Sequence, residues 1–504
     1  MRYLEIMDTT LRDGEQTSGV SFSSSEKLAL AQLLLTELRV DRIEVASARV
    51  SAGELEAVRQ ITRWAAGVGM LDKVEVLTFV DGEESLNWMQ ASGAKVMNLL
   101  TKGSLNHLTH QLHKTPAEHF SAIQEVLHKA HELGIQVNVY LEDWSNGMRN
   151  SLDYVLQFVD FLKTQPIRRV LLPDTLGILT PAETFTFVNQ LTSRYPTLHF
   201  DFHAHNDYDL GVANVMESIR AGAHGIHLTV NGLGERAGNA PMASTIAVLR
   251  DFMPNLKMGV VEKSLYQVSK IVETFSGLRI PDNKPVVGDN VFTQTAGIHA
   301  DGDKKNNLYF NALLPERFGR KRSYALGKMS GKANIDNNLR ELGIQLSETD
   351  LKLVTQRVIE LGDLKEVVTR EDLPYVIADV LHNTLVTSQV EVLNYVLTHS
   401  KDLKPSATLR VRIVDELFEE NAQGDGQYDA FMNALKKIYG RKKKTLPELT
   451  DYAVRIPTGG RTDALCETII TWKHNNREFK TRGLDSDQTV SAIKATQKML
   501  NTLD

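Results

Sequence analysis

The sequence has a single cysteine, Cys466, among its 504 residues. One thiol excludes an internal disulfide and a thiolate metal cluster, which is typical of a protein from a reducing compartment. No apolar run approaches the roughly 20 residues that a membrane-spanning helix needs. No cationic and apolar leader precedes the strand-like residues 3–7. These absences predict a cytoplasmic protein that has no membrane partner.

An excess of positive charge is also missing, since the formal net charge is −6. Two basic clusters, residues 317–322 and 441–444, are short and have acidic residues nearby. Nucleic acid is therefore not an expected partner. Both clusters are interpreted as solvated loops, and the first is also a candidate for binding an anionic ligand.

Residues 1–235 repeat one pattern, in which a short apolar run is followed by polar residues and a helical period. Strands that alternate with helices pair in parallel, and eight such units close into a (β/α)8 TIM barrel. An open doubly wound sheet is the alternative, but no glycine-rich dinucleotide motif follows the first run. Ser23 and Glu26 have the spacing of a helix capping box. The predicted strands are residues 4–7, 42–46, 74–79, 95–100, 136–141, 169–172, 199–203 and 225–230.

Polar side chains follow most of these predicted strands. Enzymes with a (β/α)8 barrel carry out their chemistry at the carboxyl ends of the strands and in the loops that follow. The residues at these ends are Arg12, Asp13, Tyr140, Glu142, Asp143, Asp174, Thr175, His203, His205, Asn206 and Asn231. The sequence therefore predicts an active site at this end of the barrel.

His203 and His205 lie two residues apart at the end of the seventh predicted strand. Side chains alternate along a strand, so both imidazoles point to one face and can bind one cation. A hydrogen-bonded structural pair is the competing interpretation. Asp13, after the first strand, and the glycine-rich loop 231–239, after the eighth, are neighbours in a closed barrel. The carboxylate of Asp13 favours a metal site.

Such a site suits carbonyl chemistry. A hard cation held by imidazole and oxygen ligands can chelate a 2-oxo acid and polarise its ketone. Arg12 is a candidate for stabilising the charge that develops on the ketone oxygen. A second reactant that must lose a proton from carbon needs a base, for which Glu142 and His299 are candidates.

The remainder of the chain has a different sequence pattern. Residues 288–331 are rich in loop-forming residues, and residues 347–382 are helical in pattern. A strand-strand-helix unit then occurs twice, at residues 390–438 and 452–500, which predicts an α+β domain with a pseudo-twofold axis. Such a domain is typical of a sensor or a dimer surface. The predicted domains are a catalytic barrel, 1–270, flexible linker subdomains, 271–385, and a regulatory dimerisation domain, 386–504.

Four stretches of the sequence together resemble one enzyme family. They are residues 11–16 (LRDGEQ), 203–207 (HAHND), 232–239 (GLGERAGN) and 294–302 (QTAGIHADG). In this order and spacing they resemble the 2-isopropylmalate, homocitrate and citramalate synthases over nearly the whole chain. Residues 99–104 (LLTKGS) and 140–147 (YLEDWSNG) are most similar to citramalate synthases. The resemblance implies an acyltransferase of branched-chain amino-acid biosynthesis, which condenses acetyl-CoA with a 2-oxo acid.

The resemblance also implies roles for individual residues at the barrel. A divalent metal, Mg²⁺, Mn²⁺ or Zn²⁺, would be bound by Asp13, His203, His205 and Asn239. Arg12 would stabilise the ketone oxygen. The 2-oxo acid carboxylate would be held by Thr175.

Residues beyond the barrel receive roles by the same likeness. Glu142 and His299 would handle the methyl proton of acetyl-CoA, with Tyr309 nearby. The segment with His299 comes from the partner subunit in this family, so a homodimer is implied. The C-terminal domain resembles one that binds leucine or isoleucine as an effector. Its effector pocket would be lined by Tyr428, Asp429, Leu449, Tyr452, Ile456, Thr462 and Ala464.

Leu77, Leu100 and Tyr140 stand at substrate-pocket positions by resemblance, and all three are bulky. A methylene more or less in an apolar pocket changes binding by roughly 1–3 kcal/mol. A crowded pocket favours pyruvate, and hence citramalate, over 2-oxoisovalerate, the substrate of 2-isopropylmalate synthases. Simple packing at the barrel end is the alternative interpretation of these residues.

Two other functions remain as alternatives. Hydroxymethylglutaryl-CoA lyases share similar motifs but use a cysteine in a glycine-rich active-site loop, whereas Cys466 lies in the C-terminal domain. A catalytically inactive amino-acid sensor would be expected to have lost part of the ligand set. All four candidate ligands and Arg12 are present here.

Overall fold

The computed structural model describes residues 2–299, 308, 311–363, 368–381, 390–455, 466–475 and 477–501. The chain forms two compact units. The first contains Met1–Phe292 and Phe310–Arg322, and the second contains Thr293–Tyr309 and Ser323–Asp504. No helix in the described part of the chain is both long enough and apolar enough to span a membrane.

A closed barrel of eight strands forms the centre of the first unit. The strands are β1 (Glu5–Asp8), β2 (Arg42–Ser47), β3 (Val74–Phe79), β4 (Val96–Lys102), β5 (Gln136–Glu142), β6 (Arg169–Asp174), β7 (Phe200–Ala204) and β8 (Gly225–Leu228). They pair in parallel in chain order, and β8 returns to β1 with Ile226 opposite Ile6. The predicted (β/α)8 barrel is therefore confirmed.

Helices surround this barrel and bury their apolar faces against it. They are α1 (Ser24–Gln32), α2 (Ala52–Gly67), α3 (Glu84–Ser92), α4 (Leu105–His110), α5 (Pro116–Glu132), α6 (Trp144–Asn150), α7 (Leu152–Leu162), α8 (Pro181–Arg194), α9 (Gly211–Arg220), α10 (Met242–Phe252) and α11 (Leu265–Ser276). A π-helical turn, Leu33–Leu38, extends α1. The predicted capping box of Ser23 and Glu26 is present at the start of α1, and such a cap stabilises a helix by about 1 kcal/mol.

The second unit contains three helices followed by two antiparallel sheets. The helices are α12 (Lys332–Glu341), α13 (Glu348–Asp363) and α14 (Leu373–Leu381). One sheet consists of β9 (Val390–Ser400), β10 (Leu403–Ile413) and β11 (Glu416–Gln423), followed by α15 (Gln427–Arg441). The other consists of β12 (Glu448–Arg455), β13 (Cys466–His474) and β14 (Arg477–Asp485), followed by α16 (Gln488–Leu500). Both helices and both sheets contribute to one apolar core.

The sequence pattern missed one strand in each copy of this repeat, because each copy has three strands and not two. The missed strands, β11 and β14, lie at sheet edges and are rich in charged residues. The hairpin before β11 turns at Val414, whose φ is +54°. Valine rarely adopts this conformation, which Asn, Asp or Gly usually supplies in a tight hairpin. The sequence therefore has no Asn-Gly or Asp-Gly pair that would predict this turn. The repeated unit is thus corrected to strand-strand-strand-helix.

Candidate metal and substrate site

The two histidines of the HAHND stretch lie at the end of β7, with His203 on the strand and His205 directly after it. Both side chains are buried, and their rings are 5.1 Å apart. The Nε2 atoms of His203 and His205 lie 3.1 Å and 3.8 Å from Oδ2 of Asp13. Alternation along the strand therefore turns both imidazoles toward one carboxylate.

Asp13 lies in the turn that follows β1, where its N–H donates to the Thr9 carbonyl at 2.9 Å. Its Oδ2 is 3.3 Å from Nη1 of Arg12. Burial alone would raise the pKa of this carboxyl, but Arg12 and the hydrogen bond from His203 hold the pKa well below its usual range. Asp13 is therefore ionised at neutral pH and can serve as a hard ligand.

Asn239 reaches the same place from the loop after β8 and forms a backbone bridge with His205. Its side chain is buried, and Nδ2 donates to the Leu233 carbonyl at 3.0 Å. This position of Asn239 requires two parts of the loop, residues 232–234 and 238–239, to lie very close to each other. A Cβ atom at Gly234 would lie 2.2 Å from Nδ2 of Asn239, and one at Gly238 would lie 1.9 Å from a backbone oxygen. Glycine at these two positions thus permits the placement of Asn239.

These residues fit a divalent cation. One ligand atom from each of Asp13, His203 and His205 lies within 4.8 Å of the others. Among the described residues, buried Oδ1 of Asp13 and of Asn239 have no hydrogen-bond partner. Burial lowers the pKa of His205 to about 4 against the opposing effect of Asp13, so its imidazole is neutral and able to coordinate. Buried polar atoms without partners are costly, and a bound cation would satisfy them.

Arg12 lies beside this cluster and is held by several side chains. Its Nε donates to Oε2 of Glu44 at 2.6 Å, and its Nη2 lies 3.5 Å from the Tyr140 hydroxyl. Glu44 is fully buried on β2 and also accepts from Nδ2 of Asn98 at 2.7 Å. Burial opposes the charge of Arg12, but Glu44 and Asp13 outweigh it and raise its pKa. A permanent, oriented cation therefore stands next to Asp13.

The ends of β5 and β6 carry the other polar candidates. Glu142 ends β5 and forms an ion pair with Lys102 of β4. Thr175 follows β6, and its Oγ1 accepts from the Asp143 N–H at 2.9 Å. Asp143 has a φ of +62°, and its Oδ2 accepts from Ser104 at 2.6 Å. The strained turn at Asp143 thereby connects the position of Glu142 to that of Thr175.

Leu77, Leu100 and Tyr140 pack together with Leu171 in one apolar cluster. The cluster lies on β3 to β6, with Leu100 opposite Tyr140 and Tyr140 opposite Leu171 in the strand register. The Tyr140 ring also meets His203 edge-on, at 6.2 Å between centroids. Bulky side chains therefore border the space beside Arg12 and the histidines.

Lys27 of α1 is fully buried behind the loop that carries Arg12. Its Nζ donates to the Leu11 carbonyl at 3.2 Å and pairs with Glu15 at 2.6 Å and Glu54 at 2.7 Å. The buried ammonium group of Lys27 thus links α1 to α2 and to the turn after β1.

We expect the Lys27→Met variant to lose about 3 kcal/mol of stability, because the two carboxylates and the Leu11 carbonyl would lose their buried cation. Urea unfolding followed by circular dichroism measures this loss. Lys129→Met is the matched control, since Lys129 also contacts two carboxylates but lies on the surface. Equal midpoints for the two variants would contradict the role given to Lys27.

Four residues of the site were not predicted, namely Lys27, Glu44, Lys102 and Leu171. Glu44 carried a usable signal, because a charged residue inside the apolar run of β2 must find a buried partner. The other three carried no such signal. The sequence predicts a solvated loop for the basic cluster 317–322, but Arg317 pairs with Asp251 and Glu262, both at 2.7 Å.

The remaining predicted residues of the active site are His299, in the second unit, and Tyr309. His299 is partly exposed there, and its N–H donates to the Ala296 carbonyl at 3.0 Å. Tyr309 lies outside the described residues. The roles of both stay predictions.

The predicted effector residues are partly brought together in the C-terminal region. The rings of Tyr428 and Tyr452 are 5.5 Å apart, and the Tyr428 hydroxyl lies 2.7 Å from Oγ1 of Thr496. Oδ2 of Asp429 accepts from the Asp425 N–H at 3.0 Å. Leu449 is 39% exposed on β12. The predicted residues that lie outside the described part are Ile456, Thr462 and Ala464.

Models of known families match the chain in three successive segments. Residues 3–272 match the HMGL-like family, residues 286–366 the homocitrate synthase post-HMGL domain-like family, and residues 367–503 the LeuA allosteric (dimerisation) domain. The chain belongs to the HMGL-like family. Enzymes of this family typically depend on a divalent metal, which agrees with the buried cluster of Asp13, His203 and His205.

Curated relatives match this HMGL-like chain over its whole length. The (R)-citramalate synthase CimA of Methanocaldococcus jannaschii is 32% identical over 505 residues, 99% of each chain. The 2-isopropylmalate synthase of the same organism is 30% identical over 509 residues, 99% of this chain and 94% of the relative. The 2-isopropylmalate synthase of Heliobacterium modesticaldum is 31% identical over 506 residues, 99% of this chain and 96% of the relative. The chain is an enzyme of this synthase type, and the similar identities do not separate the two activities.

Proposed function

We propose that this protein condenses acetyl-CoA with a small 2-oxo acid, with pyruvate as the preferred acid and (R)-citramalate as the product. The observation that carries the proposal is the joint position of Arg12, the Asp13–histidine cluster and the apolar cluster around Tyr140. Full-length likeness to citramalate synthases supports it. Condensation with 2-oxoisovalerate, as in the 2-isopropylmalate synthases, is the alternative.

The 2-oxo acid would bind at the end of the barrel. A divalent cation held by Asp13, His203, His205 and Asn239 would polarise its ketone. The imidazole ligands suit zinc, and the carboxylate and amide oxygens suit magnesium and manganese, so all three metals are candidates for this mixed set. The guanidinium of Arg12 would stabilise the negative charge that develops on the ketone oxygen.

Two side chains would orient and activate the reactants. Oγ1 of Thr175 accepts a hydrogen bond from the backbone, so its O–H hydrogen can donate to the 2-oxo acid carboxylate. The Glu142 carboxylate, paired with Lys102, would remove a methyl proton from acetyl-CoA. The resulting carbanion would attack the ketone carbon, and the π electrons of the carbonyl would move to its oxygen as the new carbon–carbon bond forms. The alkoxide would then take up a proton and become the hydroxyl group of the product. Hydrolysis of the thioester by water then releases coenzyme A as a free thiol.

The apolar cluster of Leu77, Leu100, Tyr140 and Leu171 supports pyruvate as the substrate. The isopropyl group of 2-oxoisovalerate carries two methyl groups more than the methyl group of pyruvate. Little space remains for these two extra carbons, because Leu77, Tyr140 and Leu171 are at most 5% exposed and therefore closely packed. Overpacking of a filled apolar site costs about 1–3 kcal/mol.

A thiol-release assay with acetyl-CoA and one 2-oxo acid at a time tests the proposal. We expect kcat/KM for pyruvate to exceed that for 2-oxoisovalerate by about tenfold or more, and 2-oxoglutarate to be inactive. A preference for 2-oxoisovalerate would assign the alternative function. Absence of thiol release with every acid would favour the inactive sensor.

We also propose that the chain works as a homodimer, divided into a catalytic barrel (1–270), a linker region (271–385) and a regulatory domain (386–504). The three successive family matches support this division, and the dimerisation domain supports the oligomeric state. The dimer would place His299 of one subunit, with Tyr309, near the acetyl-CoA of the other. We also propose a cytoplasmic location, which agrees with the biosynthetic role.

The regulatory domain is expected to bind a branched-chain amino acid, isoleucine or leucine. Tyr452→Ala should then raise the half-inhibitory concentration about tenfold, because a packed aromatic contact to the ligand is lost. Inhibition curves of thiol release at fixed substrate measure this. Tyr395→Ala is the control, since Tyr395 packs on the same core but is not among the predicted pocket residues. An unchanged inhibition curve for Tyr452→Ala would contradict the pocket assignment.

A further inference from the structure

A buried chain of hydrogen bonds runs through the barrel interior and ends at Arg12. His227 on β8 and Asp201 on β7 are both fully buried, and Nε2 of His227 lies 3.2 Å from Oδ2 of Asp201. Nδ1 of the same imidazole lies 3.0 Å from the Tyr140 hydroxyl. That hydroxyl lies 3.5 Å from Nη2 of Arg12. His227 and Asp201 have no part in the function proposed above.

The charges of the groups determine the direction of each hydrogen bond. Oδ2 of Asp201 forms a buried ion pair with Arg42, so this carboxylate accepts hydrogen bonds and has no hydrogen to donate. Nε2 of His227 must therefore carry the hydrogen. With the hydrogen at Nε2, Nδ1 is the nitrogen that accepts. The Tyr140 hydroxyl donates to it, because the other neighbour of this hydroxyl, Arg12, can only donate. The Tyr140 oxygen is left to accept from Arg12, which can only donate.

A second series of hydrogen bonds holds the Asp201 end of this hydrogen-bonded chain. Asp201 is paired with Arg42, and Arg42 is linked back to Arg12 through buried side chains on β2, β3, β4 and β5. The contacts in this second series are Arg42 to Glu75 at 3.0 Å, Asn138 to Glu75 at 3.2 Å, Asn138 to Asn98 at 2.8 Å, Asn98 to Glu44 at 2.7 Å and Arg12 to Glu44 at 2.6 Å. The network is therefore closed, and its members can rotate only by breaking a buried hydrogen bond.

We infer that His227 is a positioning residue, which turns the Tyr140 hydroxyl so that its oxygen accepts from Arg12 and keeps the guanidinium oriented beside Asp13. This inference rests on the proposed function, in which Arg12 stabilises the ketone oxygen and Tyr140 borders the 2-oxo acid. Without His227, the buried phenol would have no acceptor on that side. Its O–H could then turn toward Arg12, where donor faces donor, and the guanidinium would lose one of its supports.

Kinetics of His227→Leu test the role. We expect kcat/KM for pyruvate to fall about 10- to 100-fold, as for other residues that orient a catalytic group. The fall should lie mainly in kcat, because an oriented Arg12 acts on charge that develops during the reaction. His227→Gln keeps one acceptor and one N–H donor and should recover part of the loss. His199→Leu is the matched control, since His199 also bonds Asp201, at 2.9 Å, from the opposite end of β7.

Double-mutant analysis separates positioning from packing. If His227 acts through the Tyr140 hydroxyl, His227→Leu should cause little further loss in a Tyr140→Phe background. If the fold losses in kcat/KM of the two single variants multiply in the double variant, the inference would be overturned. Equal activity of His227→Leu and His199→Leu would also overturn it. If His227→Leu fails to fold, as judged by circular dichroism, His227→Gln replaces it in the same cycle.

Nitrogen-15 NMR of histidine-labelled protein gives a readout that does not depend on turnover. The His227 signals, assigned by their loss in a His227 variant, should show a protonated Nε2 and an unprotonated Nδ1. A protonated Nδ1 would overturn the inference even in an active enzyme. Failure of the wild type to condense any 2-oxo acid would instead remove the proposed function, while the NMR result would still decide the hydrogen-bond direction.

Discussion

Replacing His203 by alanine is expected to lower kcat/KM for the condensation by about a thousandfold or more, while the barrel stays folded. Nε2 of His203 lies 3.1 Å from Oδ2 of Asp13, and its ring is buried beside that of His205. A cation that loses one of few protein ligands binds weakly, and its polarisation of the ketone contributes several kcal/mol, where each 1.4 kcal/mol is about tenfold in rate. Thiol release and metal content after dialysis measure both effects.

His224→Ala is the matched control for this experiment. His224 precedes β8 at the opposite end of the barrel, where its Nδ1 accepts from the Phe200 N–H at 3.2 Å. The control loses an imidazole and a hydrogen bond but should keep its metal and its turnover. Full activity together with bound metal in His203→Ala would show that His203 is not a ligand.

Arg12→Gln is expected to lower kcat about 10²- to 10³-fold, with a smaller change in KM. The reason is that the charge of Arg12 matters most when the ketone oxygen becomes negative. Glutamine keeps polar hydrogens but has no charge, and it cannot reach Glu44, Asp13 and the Tyr140 hydroxyl together. Steady-state kinetics with pyruvate give kcat and KM separately.

Arg149→Gln serves as the control for the loss of one arginine. Arg149 of α6 bonds Glu183 of α8 and the Ile178 carbonyl, at 2.9 Å each, and its side chain is 32% exposed. Its replacement should leave kcat unchanged. A rise in KM alone for Arg12→Gln would mean that Arg12 binds the substrate equally in the ground and transition states.

The barrel could be predicted because its signals are local. Each strand appears in the sequence as a short apolar run, and the parallel order follows from the intervening helices. The predicted run 136–141 differs from β5 (Gln136–Glu142) by one residue. The C-terminal repeat was harder, because the edge strands β11 and β14 expose charged side chains. In addition, the hairpin before β11 turns at Val414 and has no Asn-Gly or Asp-Gly pair. An edge strand has only one neighbour, so its sequence is less constrained.

By itself, the sequence determined the barrel, the pairing of His203 with His205 on one face, and the nearness of Asp13. These follow from alternation along a strand and from the meeting of strand ends in a closed barrel. Only the tertiary structure decided which side chains hold Arg12. Glu44 is 32 residues away from Arg12, and His227 is 87 residues away from Tyr140. Such contacts depend on the strand register and on which side chains face the barrel interior, and one residue of slip would turn each of them to the other face.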